Sequence, residues 1–114
     1  ITNPEYPALI ATAKAIEYAK KVNVPMGGIV LSKVRNKNYE LSSKEIEELL
    51  SAKIAAKIPE DKNLPESIAK GIPLVWYKKY SPASINYKIL AGDLVGEGYE
   101  TNFLENLRLM FKRI

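Results

Sequence analysis

Proline and glycine cut this chain into short apolar runs that alternate with amphipathic stretches, and few folds accept that order. Gly27-Gly28 leads into Ile29-Val30-Leu31 within the segment Met26–Val34, an apolar run without polar alternation. Such a run predicts a strand covered on both faces, as in parallel sheets with helices above and below. Ile54-Ala55-Ala56-Lys57-Ile58, ended by Pro59, predicts a second short strand. Pro73-Leu74-Val75-Trp76-Tyr77 predicts a third, which its leading proline confines to a strand start or a sheet edge.

Helices fill the intervals. Asn3-Pro4-Glu5 has the composition of a helix start, with Asn as cap, Pro at the first helical position and Glu near the positive end of the dipole. Leu9, Ala13, Ile16 and Ala19 then form an apolar stripe that runs to Lys20-Lys21, and Pro25 blocks continuation. After the polar loop Arg35–Asn38, Ser42 and Glu45 are spaced as a capping box for a short helix whose apolar face is Ile46, Leu49 and Leu50. Leu64–Lys70 predicts a further short helix stopped by Gly71. Ser81-Pro82 opens another, with Ile85, Ile89, Leu90 and Leu94 on one side and Gly96 as its stop. Beyond a hinge at Glu97-Gly98-Tyr99, the residues Phe103, Leu104, Leu107, Met110, Phe111 and Ile114 share one helical face.

Helix, strand, helix, strand, helix, strand, helix, helix is the order of crossover units around a parallel sheet, so the fold class expected is α/β. Three short strands make a narrow sheet, however, and parallel sheets usually carry more strands with both faces covered. The chain also opens on a helix cap, as if a strand preceded it, and its first residue is Ile1 and not Met. With 114 residues it is expected to be the second half of a longer α/β domain, residues 1–96, followed by a terminal amphipathic helix, residues 97–114.

Two absences exclude whole classes of chemistry. With no Cys and no His, the chain has no thiolate or imidazole metal site, no disulfide framework, no Cys nucleophile and no His-based triad. Any metal would be a hard cation held by oxygen. Lack of Cys and of a signal-like leader leads to a cytoplasmic expectation. Net charge is +4 from 17 basic and 13 acidic residues, and only Arg35, Arg108 and Arg113 among the basic ones are arginines. Scattered lysines read first as a solvated surface and second as a sequence-independent contact with DNA, whose affinity would fall steeply with salt.

No phosphate loop of the form Gly-x-x-x-x-Gly-Lys-Ser/Thr is present, nor Gly-x-Gly-x-x-Gly or Gly-x-Ser-x-Gly. Gly27-Gly28 enters a strand instead of joining a strand to a helix, so its expected role is close packing. The candidate ligand positions are connectors at strand ends, where open α/β sheets bind their ligands. They are Ser32-Lys33 after the first strand and Pro59-Glu60-Asp61 after the second. Neighbouring parallel strands would bring the two together, and a turn fixed by Pro59 could meet the edge of a heterocycle. Glu60-Asp61 read locally is also a helix-start signal.

Taken in order, several short segments resemble the C-terminal half of MinD/ParA-type ATPases, with archaeal MinD-like proteins the nearest in character. The carriers are Thr2-Asn3-Pro4-Glu5, Gly28-Ile29-Val30-Leu31 before a basic residue, Leu41-Ser42 with Glu45-Ile46, Ile58-Pro59-Glu60-Asp61, Gly71-Ile72-Pro73 and Ser81-Pro82-Ala83. The resemblance covers nearly the whole chain. It implies part of a parallel-sheet, P-loop NTPase-like domain that binds and hydrolyses ATP in its full length and positions cell-division or partition machinery. It places Pro59, Glu60 and Asp61 against adenine. Where the family has Asn-Arg after the preceding strand this chain has Ser32-Lys33, and a serine hydroxyl cannot offer the paired donor and acceptor of an amide.

In that family the phosphate loop, the magnesium-binding hydroxyl and the switch carboxylates belong to the other half. The chain by itself is therefore expected not to hydrolyse ATP, and its expected partners are that missing half or a second copy in a homodimer. The terminal segment, with Arg108, Lys112 and Arg113 behind Gly96-Glu97-Gly98, is similar to the membrane-binding helix that ends MinD proteins, which implies a peripheral position at the inner face of the membrane. A last helix packed on the sheet is the competing reading of the same stripe. A different class of answer is a non-catalytic interaction module that keeps the half-fold and acts through a protein, membrane or DNA partner.

Overall fold

The computed structural model describes residues 1–96. The predicted terminal helix, with Phe103, Leu104, Leu107, Met110, Phe111 and Ile114, lies outside the described residues. Two compact units follow each other along the chain, the first Ile1–Glu60 and the second beginning at Asp61.

The first unit holds α1 (Tyr6–Lys21), β1 (Ile29–Val34), α2 (Ser43–Leu50) and β2 (Ile54–Pro59). β1 and β2 pair in parallel across the α2 crossover, as their separation by a helix requires. Thr2 adds a parallel bridge on the other side of β1, its amide donating to the Val30 carbonyl at 2.9 Å and its carbonyl accepting from the Ser32 amide at 2.8 Å. Alternate residues of β1 meet the helices. Ile29 and Leu31 are buried in one cluster with Leu9 and Ile16 of α1 and Ile46 and Leu50 of α2. Val30 points to the opposite face and is only half-buried, so within this unit the helices cover one face of the apolar run and not both.

Local chemistry explains most element ends. The Ser42 hydroxyl accepts from the Glu45 amide and the Glu45 carboxylate accepts from the Ser42 amide at 2.7 Å, completing the expected box. Leu49, expected on the buried face of α2, is 39% exposed, because the core meets only the Ile46–Leu50 edge. The start of α1 differs from expectation. Glu5 is the N-cap and makes no side-chain cap, while Pro7 and not Pro4 occupies the first turn. Asn3 instead accepts at Oδ1 from the Ser32 hydroxyl at 3.0 Å, and buried Pro4 accepts at its carbonyl from the Leu41 amide. With two prolines three residues apart, the second fits the helix and the first ends the Thr2 bridge segment.

Gly28 has φ +132°, a conformation L residues seldom adopt. A Cβ there would lie 3.1 Å from the Ala55 Cβ and 3.3 Å from the Lys53 carbonyl, which receives the Ile29 amide at 2.8 Å. Close passage of the β1 entrance over β2 is what this glycine permits, in line with the packing role expected for it.

The second unit holds α3 (Asn63–Lys70), α4 (Leu74–Tyr77) and α5 (Pro82–Leu94). The third strand expected at Pro73–Tyr77 is the single helical turn α4. Four apolar residues carry no period that separates strand from helix, and the amides find local partners. Trp76 and Tyr77 donate to the Pro73 carbonyl, both at 2.9 Å, and Lys78 donates to Leu74 at 2.8 Å. Leu74 is buried, whereas Trp76 is 73% exposed. The Tyr77 hydroxyl ties α4 to α3, accepting from Lys70 Nζ at 3.0 Å and donating to Glu66 at 3.2 Å. Gly71 ends α3 in the left-handed region as expected, and Ser81 caps α5 with Pro82 in its first turn. Inside α5 the buried residues are Ala83 and Ser84, and Leu94 of the expected apolar side is exposed. Among the described residues no helix is long and apolar enough to cross a membrane.

Candidate functional site

Parallel pairing puts the C-terminal ends of β1 and β2 side by side. Val34 is the partner of Pro59, and the Glu60 amide continues the ladder by donating to the Val34 carbonyl at 3.0 Å. The side chains that meet there are Arg35 and Glu60, with Nε to Oε2 at 2.8 Å. The sequence places Arg35 in a polar loop and does not mark it as a site residue. Its signal was position, since a basic residue directly after a parallel strand lies where these sheets bind ligands. The nearby Tyr39 hydroxyl and the Glu60 carboxylate both hold the guanidinium more firmly protonated than usual. The loop behind it is closed by Glu40, whose carboxylate accepts from the Arg35 amide at 2.9 Å and the Lys37 amide at 3.3 Å.

Ser32 and Lys33 lie within β1 at a register irregularity between Leu31 and Val34. Lys33 is exposed with φ +55°, left-handed for a residue that carries a Cβ. Such backbone is uncommon outside turns and binding sites. The Ser32 hydroxyl donates to Asn3, so a hydroxyl and an amide side chain adjoin at the Thr2 side of β1. Pro59 is half-buried and Glu60 exposed. Ser32 and Lys33 thus belong to the bulge of β1, while Pro59 and Glu60 meet Val34 and Arg35.

A cleft of about 400 Å³ in this unit is bounded by Pro4, Val34, Asn36, Glu40, Ser42 and Lys57, among others, and none of Ser32, Lys33, Pro59 or Glu60 lines it.

Asp61 opens the second unit and is 7% exposed. One carboxylate oxygen accepts from the Asn63 amide at 2.9 Å and from its side-chain nitrogen at 2.8 Å, and the other from the Ala83 amide at 3.2 Å. The local reading of Glu60-Asp61 as a helix-start signal holds for Asp61, which turns the chain into α3 and also caps α5. Burial pushes its pKa up, but hydrogen bonds from the Asn63 amide, the Ser81 hydroxyl and the Ala83 amide together outweigh that and hold it below the ordinary carboxylate value.

No protein-family model matches the chain. An uncharacterized ATP-binding protein of Methanocaldococcus jannaschii is 32% identical over 96 residues, which are 84% of this chain and 36% of that protein. A second ATP-binding protein of that organism is 31% identical over 88% of this chain and 38% of its own length. Among solved structures, the cell division ATPase MinD of Pyrococcus furiosus superposes with a TM-score of 0.77 at 29% identity, over 84% of this chain and 40% of that one. The septum site-determining protein MinD of Pyrococcus horikoshii, complexed with Mg-ADP, gives 0.76 at 25% identity over 92% and 42%. The chain therefore spans about two fifths of the length of the proteins it matches. In sequence and in fold it is a homologue of the MinD-like ATP-binding proteins, corresponding to the C-terminal half of their ATPase domain.

Proposed function

We propose that this chain supplies the base-binding side of an ATP site in a MinD-like ATPase that acts in cell division or partition, with the phosphate-binding side contributed by residues outside it. The observation that carries the reading is the pair of strand ends, where Arg35 and Glu60 meet at 2.8 Å beyond Val34 and Pro59. The Mg-ADP complex of the P. horikoshii MinD, a structural relative, supports it. Adenine would rest on the Pro59-Glu60 backbone, with Asp61 fixing the turn that follows. Hydrolysis needs charge neutralisation at the transferred phosphoryl group, which is assigned to the other half of the domain.

The hydroxyl of Ser32 already serves Asn3, which leaves base discrimination weak at this position. In the natural gene product that includes a phosphate loop, Ser32→Asn is expected to raise the ATP-to-GTP affinity ratio about tenfold, roughly the worth of one well-placed hydrogen bond. Titration calorimetry with both nucleotides measures it. An unchanged ratio would remove Ser32 from the base site, and absence of ATP binding in the parent protein would remove the reading as a whole.

The position proposed for the protein is cytoplasmic, with residues 97–114 as a peripheral contact to the inner membrane face. Its support is the apolar stripe with Arg108, Lys112 and Arg113 beside it.

A further inference from the structure

The ends of β1 and β2 are joined twice, by backbone and by side chains. Pro59 has no N–H to give the ladder, and the rung beyond it runs from the Glu60 amide to the Val34 carbonyl at 3.0 Å. The Arg35–Glu60 pair, Nε to Oε2 at 2.8 Å, braces that rung from the side. Rung and pair close a ring across the two strand ends, so Glu60 cannot swing away from β1 without breaking one of them. Arg35 is itself held in place. Glu40 accepts from the Arg35 and Lys37 amides at 2.9 and 3.3 Å, and its own amide donates to the Lys37 carbonyl at 3.0 Å. Asn36 between them takes φ +56°, in the left-handed region that tightens the loop, and the Tyr39 hydroxyl lies beside the guanidinium.

So much local order returns little to the fold. The two side chains are 39% and 48% exposed, and ion pairs that open to solvent add little stability. What the pair does fix is direction, because a planar guanidinium held by a carboxylate sets both groups in one orientation. We propose that Arg35 is a positioning residue for the nucleotide, acting through Glu60 to keep the Pro59-Glu60 backbone at the distance from β1 that the base requires. The inference rests on the base-binding reading given above and extends it to a residue outside the strand-end motifs. Contacts to a base are hydrogen bonds and ring packing, which tolerate little displacement, and a misplacement of about 1 Å can cost on the order of 100-fold. Loosening one strand end while the Glu60 rung remains is a smaller fault and should cost less.

In the natural gene product that includes a phosphate loop, Arg35→Ala and Glu60→Gln are each expected to raise KM for ATP about tenfold while kcat changes less than about twofold. The double variant should lose no more than either single one, because the two side chains act as a unit. Lys21→Ala, which breaks the exposed Glu17–Lys21 pair at 3.8 Å on α1, controls for the loss of a surface ion pair and should leave KM as it is. Far-UV circular dichroism and urea unfolding check that each variant folds, and either single variant remains informative if the other misfolds. An unchanged KM in the folded single variants of a parent that uses ATP would overturn the role of Arg35 and leave the base site standing. Losses that add in the double variant would also overturn it, since Arg35 would then act on the nucleotide and not through Glu60. A parent that neither binds nor hydrolyses ATP would overturn the base-site reading and this inference with it.

Discussion

Asp61→Ala is expected to cost about 2–4 kcal/mol of folding stability, because it strips the carboxylate from the half-buried Asn63 amide and the buried Ala83 amide. The amides of Asn63 and Ala83 lie 2.9 and 3.2 Å from its two oxygens. A buried donor left unpaired costs about 1–3 kcal/mol, and more when its partner was charged. The effect is also pH-dependent, with a definite sign. The folded-state pKa lies below the ordinary aspartate value of 3.8, so ionised Asp61 is favoured by the fold. Its contribution is complete above that value and is lost as pH falls through the depressed folded pKa. Glu45, hydrogen-bonded to the Ser42 amide and hydroxyl, acts with the same sign. Urea unfolding of the wild type and of Asp61→Asn at pH 7 and pH 3 isolates the Asp61 share. The wild type should lose more stability between the two pH values than the variant, and equal losses would contradict the assigned role.

Gly28→Val should cost about 3 kcal/mol or more. Two penalties combine there. The backbone at φ +132° is one that a β-branched residue strongly disfavours, and strained residues of this kind cost about 1–3 kcal/mol. The added side chain also meets Ala55 and the Lys53 carbonyl at 3.1 and 3.3 Å, and overpacking of this sort typically costs another 1–3 kcal/mol. Because Ile29 bonds Lys53 at the same point, relief by strand separation would break the first rung of the β1–β2 ladder. Chemical denaturation measures the loss. A shift of less than about 1 kcal/mol would mean that the β1 entrance is not held as close to β2 as described.

What the residues announced in advance were the features whose partners are near in sequence. The Ser42–Glu45 box, the Ser81-Pro82 start and the Gly71 stop each join groups within about one helical turn, and each was legible. The parallel pairing of β1 and β2 was legible too, because a helix between two short apolar runs leaves little other geometry. Pro73–Tyr77 misled because four apolar residues fit either a strand or one helical turn, and the choice fell to hydrogen bonds from a proline carbonyl. The start of α1 misled because Pro4 and Pro7 compete for one role. In the candidate site, Ser32, Lys33, Pro59 and Glu60 are legible from their place at strand ends, whereas Arg35 becomes a partner of Glu60 only through strand pairing. Asp61 reads from the sequence both as a ligand position and as a helix-start signal. Its bond to Ala83, 22 residues on, could not be read from the local sequence.

The central claim is that the β1 and β2 ends face a nucleotide base. Photolabelling of the natural gene product with 8-azido-ATP, followed by peptide mapping, tests it most directly. ATP-protected label is expected on the peptides that contain Ser32–Arg35 or Pro59–Glu60. Label confined to other segments, or label that excess ATP does not suppress, would contradict it.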